Sequence, residues 1–294
     1  MDAALKASYE ECKRLNSLHG KTYYLATLLL PAEKRPYVHA LYGFARYADE
    51  IVDDLASTLS PQEKADALRS WSSGVLADLK AGTSSDHIGR ALVDTARKFD
   101  IPHQHFVDFL HSMEMDLTVT EYQTYDDLLE YVYGSAAVIG LEMVPILGYS
   151  DQRAYEAAKK LGIAFQLANF IRDVGEDLER GRVYLPLQEL AQFGVSRADL
   201  EARIATTEIK AALKFQIARV RKLEESSRTG IAMLGAPSQP CIETARILYC
   251  GIVDAVEEID YEVFTKRATV SMSRRLRVAV PAYYRARKLW KRTT

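Results

Sequence analysis

The chain has 294 residues and a mass of 33.1 kDa, and 48% of its residues are hydrophobic. A chain of this size and composition buries a substantial core, as one large domain or two small ones, and no Pro-, Gly- or Ser-rich linker divides it. Its longest apolar stretch, residues 136–149, is interrupted by Glu142 and Pro145. This stretch is shorter than the roughly 20 residues that span a bilayer, so we predict no transmembrane helix. We also predict no secretory signal, because the N-terminus lacks a charged region followed by an apolar core.

Helical patterns dominate the chain from the N-terminus onward. Apolar residues recur at spacings of three and four, whereas the alternation typical of strands is missing. Breakers such as Pro31, Gly82 and Pro102 mark the joints, and Ser60-Pro61 is typical of a helix start. We therefore predict an all-α fold, a single helical bundle over residues 1–294. The main helices are predicted at 3–18, 32–56, 61–80, 87–100, 103–119, 126–148, 151–180, 206–233 and 238–264.

Two acidic clusters, about 120 residues apart, are the most informative motifs. They read Arg46-Tyr-Ala-Asp49-Glu-Ile-Val-Asp53-Asp54 and Asn169-Phe-Ile-Arg172-Asp173-Val-Gly-Glu176-Asp177. Two aspartates lie four residues apart in each cluster, so Asp49 and Asp53 share one helix face, and Asp173 and Asp177 share another. Apolar helix precedes both clusters, which indicates interior segments that face each other across a central cavity.

Buried carboxylates of this kind require a cation, because removing each one from water costs several kcal/mol. Oxygen ligands suit Mg²⁺, which typically binds one or two carboxylates together with waters and phosphate oxygens. Arg46 and Arg172 add bidentate donors for phosphate, so the clusters predict a diphosphate held by Mg²⁺. The alternative is a solvated helix face. The second cluster favours the metal site, because Gln166 and Asn169 share the stripe of Asp173.

A run of small residues, Gly134-Ser-Ala-Ala-Val-Ile-Gly140, lies within a predicted inner helix. It allows either a bend that leaves room for a ligand or close packing against another helix. The chain also contains 17 Tyr and 9 Phe. We expect most of them in the core and a few at the cavity, where ring faces stabilise a carbocation.

The C-terminal end is strongly basic although the whole chain has a net charge of −2. Residues 266–294 contain ten Lys or Arg and no Asp or Glu, and apolar residues such as Leu276 and Tyr284 are interleaved with them. One interpretation is peripheral contact of segment 266–292 with a membrane surface. The other is a solvated helix that packs its apolar stripe on the bundle. Nucleic acid is not predicted, because no nucleic-acid motif accompanies the charge.

Cysteine usage suggests a reducing compartment. Cys12, Cys241 and Cys250 are odd in number and show no Cys-x-x-Cys spacing. We therefore predict that the three thiols are reduced and pack in the core, and that the protein is cytoplasmic. If the basic segment 266–292 contacts a membrane, the protein would be peripheral at the inner membrane face.

The chain resembles the squalene/phytoene synthase family, the head-to-head prenyl synthases, over nearly its whole length. The motifs that carry the resemblance are His19-Gly-Lys-Thr-Tyr23-Tyr24, Tyr42 to Asp54, Tyr131-Val-Tyr133-Gly-Ser-Ala and Gln166 to Pro186. The resemblance implies the isoprenoid synthase fold with a central cavity, a Mg²⁺ requirement with Mn²⁺ as a substitute, and condensation of two prenyl diphosphates.

The resemblance also implies roles for individual residues. The implied metal ligands are Asp49, Asp53, Asn169, Asp173 and Asp177. The implied substrate contacts are His19, Gly20, Lys21, Thr22, Tyr42, Arg46, Tyr133, Gln166, Arg172, Tyr249 and Arg267, with residues 19–22 as a flap over a diphosphate. The implied catalytic set is Asp49, Asp53, Asp173, Asp177, Arg46 and Arg172. Glu50 departs from the usual second aspartate, and Gly20 stands where some relatives offer a hydroxyl, which leaves Thr22 as the hydroxyl there.

In this family an allylic cation is attacked by the second substrate, which gives a cyclopropyl diphosphate. After a second ionisation, proton loss gives phytoene, whereas hydride from NADPH gives squalene. The motif Gly-Arg-Val-Tyr-Leu-Pro at residues 181–186 and the predicted lack of a membrane anchor look more like bacterial phytoene synthases, so we expect 15-cis-phytoene as the product and no NADPH. The small residues Ala26 and Thr27 would allow a deep tunnel, so we expect two geranylgeranyl diphosphates as substrates. The alternative within the family is squalene or dehydrosqualene synthesis from farnesyl diphosphate.

Three other classes are weaker interpretations. A carboxylate-bridged di-iron bundle needs Glu-x-x-His motifs, which the sequence lacks. A terpene cyclase or head-to-tail prenyltransferase also binds diphosphate through metal ions held by aspartates. The presence of Gln166 and Arg172 beside the second cluster argues against that class. The alternative outside enzymology is a non-catalytic helical scaffold.

Overall fold

The structure is a computed structural model that describes residues 2–53 and 59–291. The side chains of Asp53 and Pro61 also lie outside the described part, as do Asp54 and the predicted end of the second helix at residue 56. The α-helices are α1 Ala3–His19, α2 Lys21–Thr27, α3 Arg35–Asp53, α4 Pro61–Ala81, α5 Gly89–Lys98, α6 His103–Met115, α7 Tyr125–Val132, α8 Val138–Leu147, α9 Arg153–Glu179, α10 Leu187–Gln192, α11 Arg197–Glu201, α12 Thr207–Ile231, α13 Gln239–Glu258 and α14 Met272–Trp290. Apart from two isolated β-bridges, regular structure in the described residues is helical, which confirms the all-α prediction.

The start of α4 shows why the local signals were informative. The Ser60 side chain accepts from the Glu63 backbone N–H, and the Glu63 carboxylate accepts from the Ser60 backbone, with proline at the first turn. This capping box satisfies donors that a helix start leaves unpaired. Gly82 ends the helix at a φ of +72°, a conformation that glycine adopts without steric cost.

One predicted helix, 126–148, is divided in the structure. Residues Tyr133–Ala137 form a π-helix between α7 and α8. A Cβ on Gly134 would lie 2.1 Å from the Asp108 carbonyl oxygen, so this glycine allows α6 to approach closely. Both interpretations of the small-residue run therefore hold, because it combines an irregular turn with close packing.

Helix α9 is the centre of the bundle and packs against α8, α12 and α13. A Cβ on Gly230 of α12 would lie 2.0 Å from the Cβ of Ala157, and one on Gly140 of α8 would lie 2.6 Å from the Ala158 carbonyl oxygen. These close approaches bring the neighbouring backbones onto α9. The three cysteines are free and buried, as predicted.

The stretch Tyr125–Leu147 is long and apolar enough to cross a membrane by length and composition alone, which the sequence reasoning did not anticipate. Half of its apolar window is buried inside the fold. Core helices pass the same test, so this feature is weak evidence for a membrane span.

Candidate active site

Two joined cavities occupy the interior around α9. One is apolar with a volume of about 230 Å³, and the other is a polar mouth of about 480 Å³. Tyr23, Asn169 and Tyr249 line both, so they mark the junction. A ligand with a charged head and a long apolar tail fits these two cavities, because the head would lie in the polar mouth and the tail in the apolar cavity.

The apolar cavity runs between α2, α8, α9, α12 and α13. Its walls include Ala26 and Thr27 from α2 and small residues from the other helices, among them Gly140, Ala157, Ala158, Gly162 and Gly230. The ring of Phe165 stacks on that of Tyr249 with centroids 4.8 Å apart. Burial raises the pKa of Tyr249 to about 12, so its phenol keeps its proton at neutral pH.

The polar mouth brings together nine of the predicted substrate or metal residues. They are His19, Gly20, Lys21, Thr22, Tyr42, Asn169, Arg172, Tyr249 and Arg267. The first four belong to the joint between α1 and α2, where the sequence predicts a flap. A Cβ on Gly20 would lie 2.6 Å from the Tyr42 ring, so glycine at this position allows the joint to approach α3 closely.

The first acidic cluster forms the last turns of α3. Arg46 Nη1 donates to Asp49 Oδ2 at 2.7 Å, and its Nε donates to Glu50 Oε1 at 3.1 Å. Glu50 also lies 3.6 Å from His19 Nε2, which connects this cluster to the mouth. The side chain of Asp53, a predicted ligand, lies outside the described part of the structure.

The second acidic cluster lies on α9 and contacts two arginines that line the mouth. Arg172 Nε donates to Asp173 Oδ1 at 2.7 Å, and its Nη2 donates to Oδ2 of the same carboxylate. Arg267 Nη1 contacts the Glu176 carboxylate at 2.6 and 2.7 Å, and its Nη2 lies 3.1 Å from Asp173 Oδ1. Arg172 and Arg267, two of the three arginines that line the mouth, are therefore positioned by Asp173.

Asp177 lies one turn further along α9, beside a small cavity that Arg182 and Tyr184 also line. Burial, followed by the nearby Asp173 carboxylate, raises the pKa of Asp177 to about 7, although Arg180 and Arg182 act in the opposite direction. A nearby cation would offset both effects by stabilising the charged form.

The donors on α9 fit a hard cation. Asn169, Asp173 and Asp177 follow one another at spacings of four along a single stripe, and each offers a side-chain oxygen. Among the described residues, no three His, Cys, Asp or Glu side chains are close enough to form a complete metal site.

Three predicted substrate contacts do not line the mouth, and one of them, Arg46, lines neither cavity. Gln166 lines the apolar cavity rather than the mouth. Tyr133 lines neither cavity, and its ring lies under the ammonium of Lys159 at 5.3 Å. Its role therefore stays a prediction that the geometry of the cavities does not support.

Sequence reasoning missed several residues of the mouth. Arg275 and residues 268–270 form one wall, and Leu248 and Ile252 of α13 form another. Arg275 belongs to the basic C-terminal run, in which the sequence predicts a substrate contact only for Arg267. The position of Arg275, a basic residue soon after Arg267, is the sequence feature that could have indicated a second phosphate contact.

The fold and site define an all-α prenyltransferase class, with arginines and aspartates around a polar mouth that opens into an apolar cavity. Residues 17–274 match the family described as squalene/phytoene synthase. The chain is 39% identical over 287 residues to the chloroplastic phytoene synthase of Narcissus pseudonarcissus, covering 95% of this chain and 66% of the relative. It is 38% identical to phytoene synthase 2 of Solanum lycopersicum, covering 96% of this chain and 92% of the relative. The chain thus belongs to the squalene/phytoene synthase family.

Solved structures show the same fold. A dehydrosqualene synthase in complex with a ligand superimposes with a TM-score of 0.87 at 27% identity, covering 97% of this chain and 98% of the other. A squalene synthase from Alicyclobacillus acidocaldarius superimposes with a TM-score of 0.81 at 25% identity, covering 89% of this chain and 97% of the other. The predicted fold and family are therefore confirmed.

Proposed function

We propose that the protein condenses two molecules of geranylgeranyl diphosphate head to head, through a cyclopropyl (prephytoene) diphosphate, to 15-cis-phytoene for carotenoid synthesis. The observation that carries the proposal is the polar mouth joined to an apolar cavity at Tyr23, Asn169 and Tyr249. The identity of 38% to 39% with plant phytoene synthases supports the choice of reaction.

Basic side chains of the mouth bind the diphosphate in this proposal. Lys21, Arg172, Arg267 and Arg275 reach it from four different segments. Guanidinium groups donate paired hydrogen bonds to phosphate oxygens, so the arginines orient the head group while the prenyl tail enters the apolar cavity.

The metal ligands of the proposal are Asp49, Asp53, Asn169, Asp173 and Asp177. Bound Mg²⁺ neutralises negative charge on the departing diphosphate, and Mn²⁺ serves as a substitute. Arg172 and Arg267 contribute to the same stabilisation from the protein side, because they already lie at Asp173.

The apolar cavity protects the allylic cation that forms when the carbon–oxygen bond breaks. Its walls exclude water, which would otherwise capture the cation as an alcohol. The rings of Phe165, Tyr23 and Tyr249 line the apolar cavity, and they stabilise positive charge through their ring quadrupoles.

Two small side chains support a C20 rather than a C15 substrate. Ala26 and Thr27 are buried and line the apolar cavity, and their small side chains leave space in the cavity for a longer prenyl tail. The final cation loses a proton instead of receiving hydride, and we therefore propose no NADPH requirement.

Product analysis tests the proposal. The purified protein is incubated with Mg²⁺ and either geranylgeranyl or farnesyl diphosphate, with and without NADPH, and the hydrocarbon is identified by mass spectrometry. The expected product is C40 phytoene without NADPH, and EDTA should abolish it. A C30 product from farnesyl diphosphate alone would identify dehydrosqualene synthesis, and squalene formed only with NADPH would identify squalene synthesis. Failure to release diphosphate under any condition would support the scaffold alternative.

A further inference from the structure

Helix α14 carries apolar side chains on two opposite faces. Ala282 and Ala286 are fully buried, and Val278 packs against the core that surrounds α9 and α13. This inner face attaches α14 to α13. At the far end of α14, Trp290 lies under the guanidinium of Arg35 at 5.6 Å.

The outer face of α14 is apolar as well, although it contacts solvent. Its exposed side chains, with exposed fractions between 43% and 68%, are Met272, Leu276, Val280, Tyr283 and Tyr284. Their spacing of three or four residues places them along one stripe, roughly opposite Ala282 on the helix. A stripe of this length on a solvated helix is unusual, because isolated exposed apolar residues are the norm.

Positive charge surrounds this stripe. Arg277, Arg285, Arg287 and Lys288 are exposed, and none lies within ion-pair distance of an acidic side chain among the described residues. Arg274, by contrast, is paired with Asp254. Segment 266–294 contains no acid, and although Arg285 lies near enough to Glu243 of α13 to help lower the pKa of that carboxyl, the outer face of α14 carries an excess of positive charge.

The start of α14 lies at the mouth of the active site. Ala268, Thr269 and Val270, just before the helix, line the mouth, and Arg275 in its first turn does so too. A surface that binds the outer face of α14 therefore lies beside the entrance to the cavities.

We propose that the outer face of α14 docks on the surface of an anionic lipid bilayer and holds the mouth close to it. Leu276, Val280 and Tyr284 insert at the level of the headgroups, and the basic side chains contact anionic headgroups. As a consequence that rests on the proposed function, the water-insoluble C40 product leaves the apolar cavity into the bilayer.

A second copy of the chain fits this face less well than a lipid surface does. In a two-fold dimer the same patch would contact itself, which brings Arg285, Arg287 and Lys288 of both copies together. Like charges at an interface oppose association. Tyrosines at the edge of an apolar stripe are typical of the boundary between membrane and water.

Vesicle flotation with matched variants tests the docking surface. The wild-type protein is mixed with vesicles of pure phosphatidylcholine or with vesicles of phosphatidylcholine that contain about 30% phosphatidylglycerol. The apolar test variant is L276S/V280S/Y284S, and the charge variant is R285E/R287E. The control variant I204S removes an exposed apolar side chain that is distant in sequence from α14. Diphosphate release from detergent-dispersed substrate is measured for each protein, because none of these positions belongs to the active site.

We expect wild type and I204S to float with anionic vesicles, and high salt to weaken that binding. R285E/R287E should bind at least roughly 25-fold more weakly, because each basic residue near the surface contributes a factor of about five. L276S/V280S/Y284S should bind at least roughly tenfold more weakly. Equal binding of wild type to neutral and anionic vesicles, or unchanged binding of both variants, would overturn the proposal.

Two further measurements separate the remaining outcomes. Sedimentation velocity without lipid would reveal a dimer, and a dimer that both variants dissociate would assign the face to self-association and overturn lipid docking. If wild type binds anionic vesicles but releases no diphosphate, the docking surface stands and the proposed function fails. If detergent activity is present but no protein floats, the proposed function stands and the docking surface fails.

Discussion

Arg172 and Asp173, adjacent on α9, form a two-pronged ion pair in which Nε donates to Oδ1 at 2.7 Å and Nη2 donates to Oδ2. Both side chains are only 17% exposed. The carboxylate also lies 3.1 Å from Arg267 Nη2. Asp173 therefore has two expected functions, because it positions two arginines of the mouth and offers oxygens to the metal.

Asp173→Asn should lower kcat/KM by at least about 10²- to 10³-fold, because it removes a charged ligand and weakens the positioning of Arg172. Mg²⁺ titrations of diphosphate release should also show a higher half-saturating Mg²⁺ concentration. The helical circular dichroism should stay unchanged. The same loss of turnover is predicted for Asp53→Ala, whose side chain lies outside the described part of the structure.

Glu176→Gln is the matched control for that experiment. It removes the other carboxylate that contacts Arg267, yet Glu176 is not a predicted metal ligand. We expect a loss below about tenfold and an unchanged Mg²⁺ requirement. Near-normal turnover of Asp173→Asn, or equal losses in both variants, would contradict the role assigned to Asp173.

Thr27→Phe should shorten the apolar cavity. Thr27 is 1% exposed, lines the cavity and donates its hydroxyl to the Tyr23 carbonyl oxygen at 2.9 Å. A ring at this position occupies space that a C20 tail requires but a C15 tail leaves free. We expect kcat/KM for geranylgeranyl diphosphate to fall at least about tenfold, with a loss for farnesyl diphosphate below about threefold.

Steady-state kinetics with both substrates checks this expectation. Overpacking costs about 1–3 kcal/mol, so thermal unfolding identifies a variant that fails to fold. Ala26→Phe, at the adjacent cavity position, is a second variant with the same expected direction. If the folded variants lose both activities equally, Thr27 and Ala26 do not set the length of the substrate.

Long helices and the two acidic motifs were predictable because their signals are local. The capping box at Ser60 and the periodic apolar residues of α9 are examples. The short helices α2, α10 and α11 were not predicted, since five to seven residues are too few to show a period. The π-helix at Tyr133–Ala137 was not predicted either, and the close packing of its Gly134 against Asp108 of another helix leaves no local signal in the sequence.

The chemistry of the site was more predictable than its walls. Arg172, Asn169 and Tyr42 meet at the mouth as expected. Arg275 was missed because only the packing of α14 on α13 brings it there. The resemblance implies a substrate contact for Tyr133, but its ring lies 5.3 Å from the ammonium of Lys159 and lines neither cavity.

Gly230→Ala should destabilise the contact between α12 and α9. The new Cβ would lie 2.0 Å from the Cβ of Ala157, which is impossible without displacement of one helix. We expect the free energy of unfolding to fall by about 1–3 kcal/mol. Gly230→Ala in an Ala157→Gly background should recover part of the loss, because the clashing methyl group is then absent.

Urea unfolding of the two single variants and the double variant gives the coupling free energy between residues 157 and 230. Gly74→Ala in α4 is the control, because no atom lies within 4 Å of the Cβ it would add. That variant should be neutral or slightly stabilising. Additive effects of Gly230→Ala and Ala157→Gly would show that the helices do not meet at this point.

Glu142→Met should stabilise the protein, increasingly so as the pH rises. The Glu142 side chain is 0% exposed, and neither carboxyl oxygen has a hydrogen-bond partner in the described part of the chain. Burial raises its pKa well above the ordinary value of 4.5. The folded protein therefore keeps a proton that the unfolded chain releases, and folding stability falls by up to about 1.4 kcal/mol per pH unit above the ordinary value.

This contribution is fully present below the ordinary carboxyl pKa and is lost as the pH rises through the raised pKa. Methionine has a similar shape and no charge, so the variant should lack that loss. We expect the free energy of unfolding of Glu142→Met to exceed that of wild type at pH 8, and by a smaller margin at pH 5. Urea unfolding at pH 5, 6.5 and 8 measures the difference, with the exposed Glu130→Met as the control. A difference that does not grow with pH would mean that Glu142 is ionised in the folded protein.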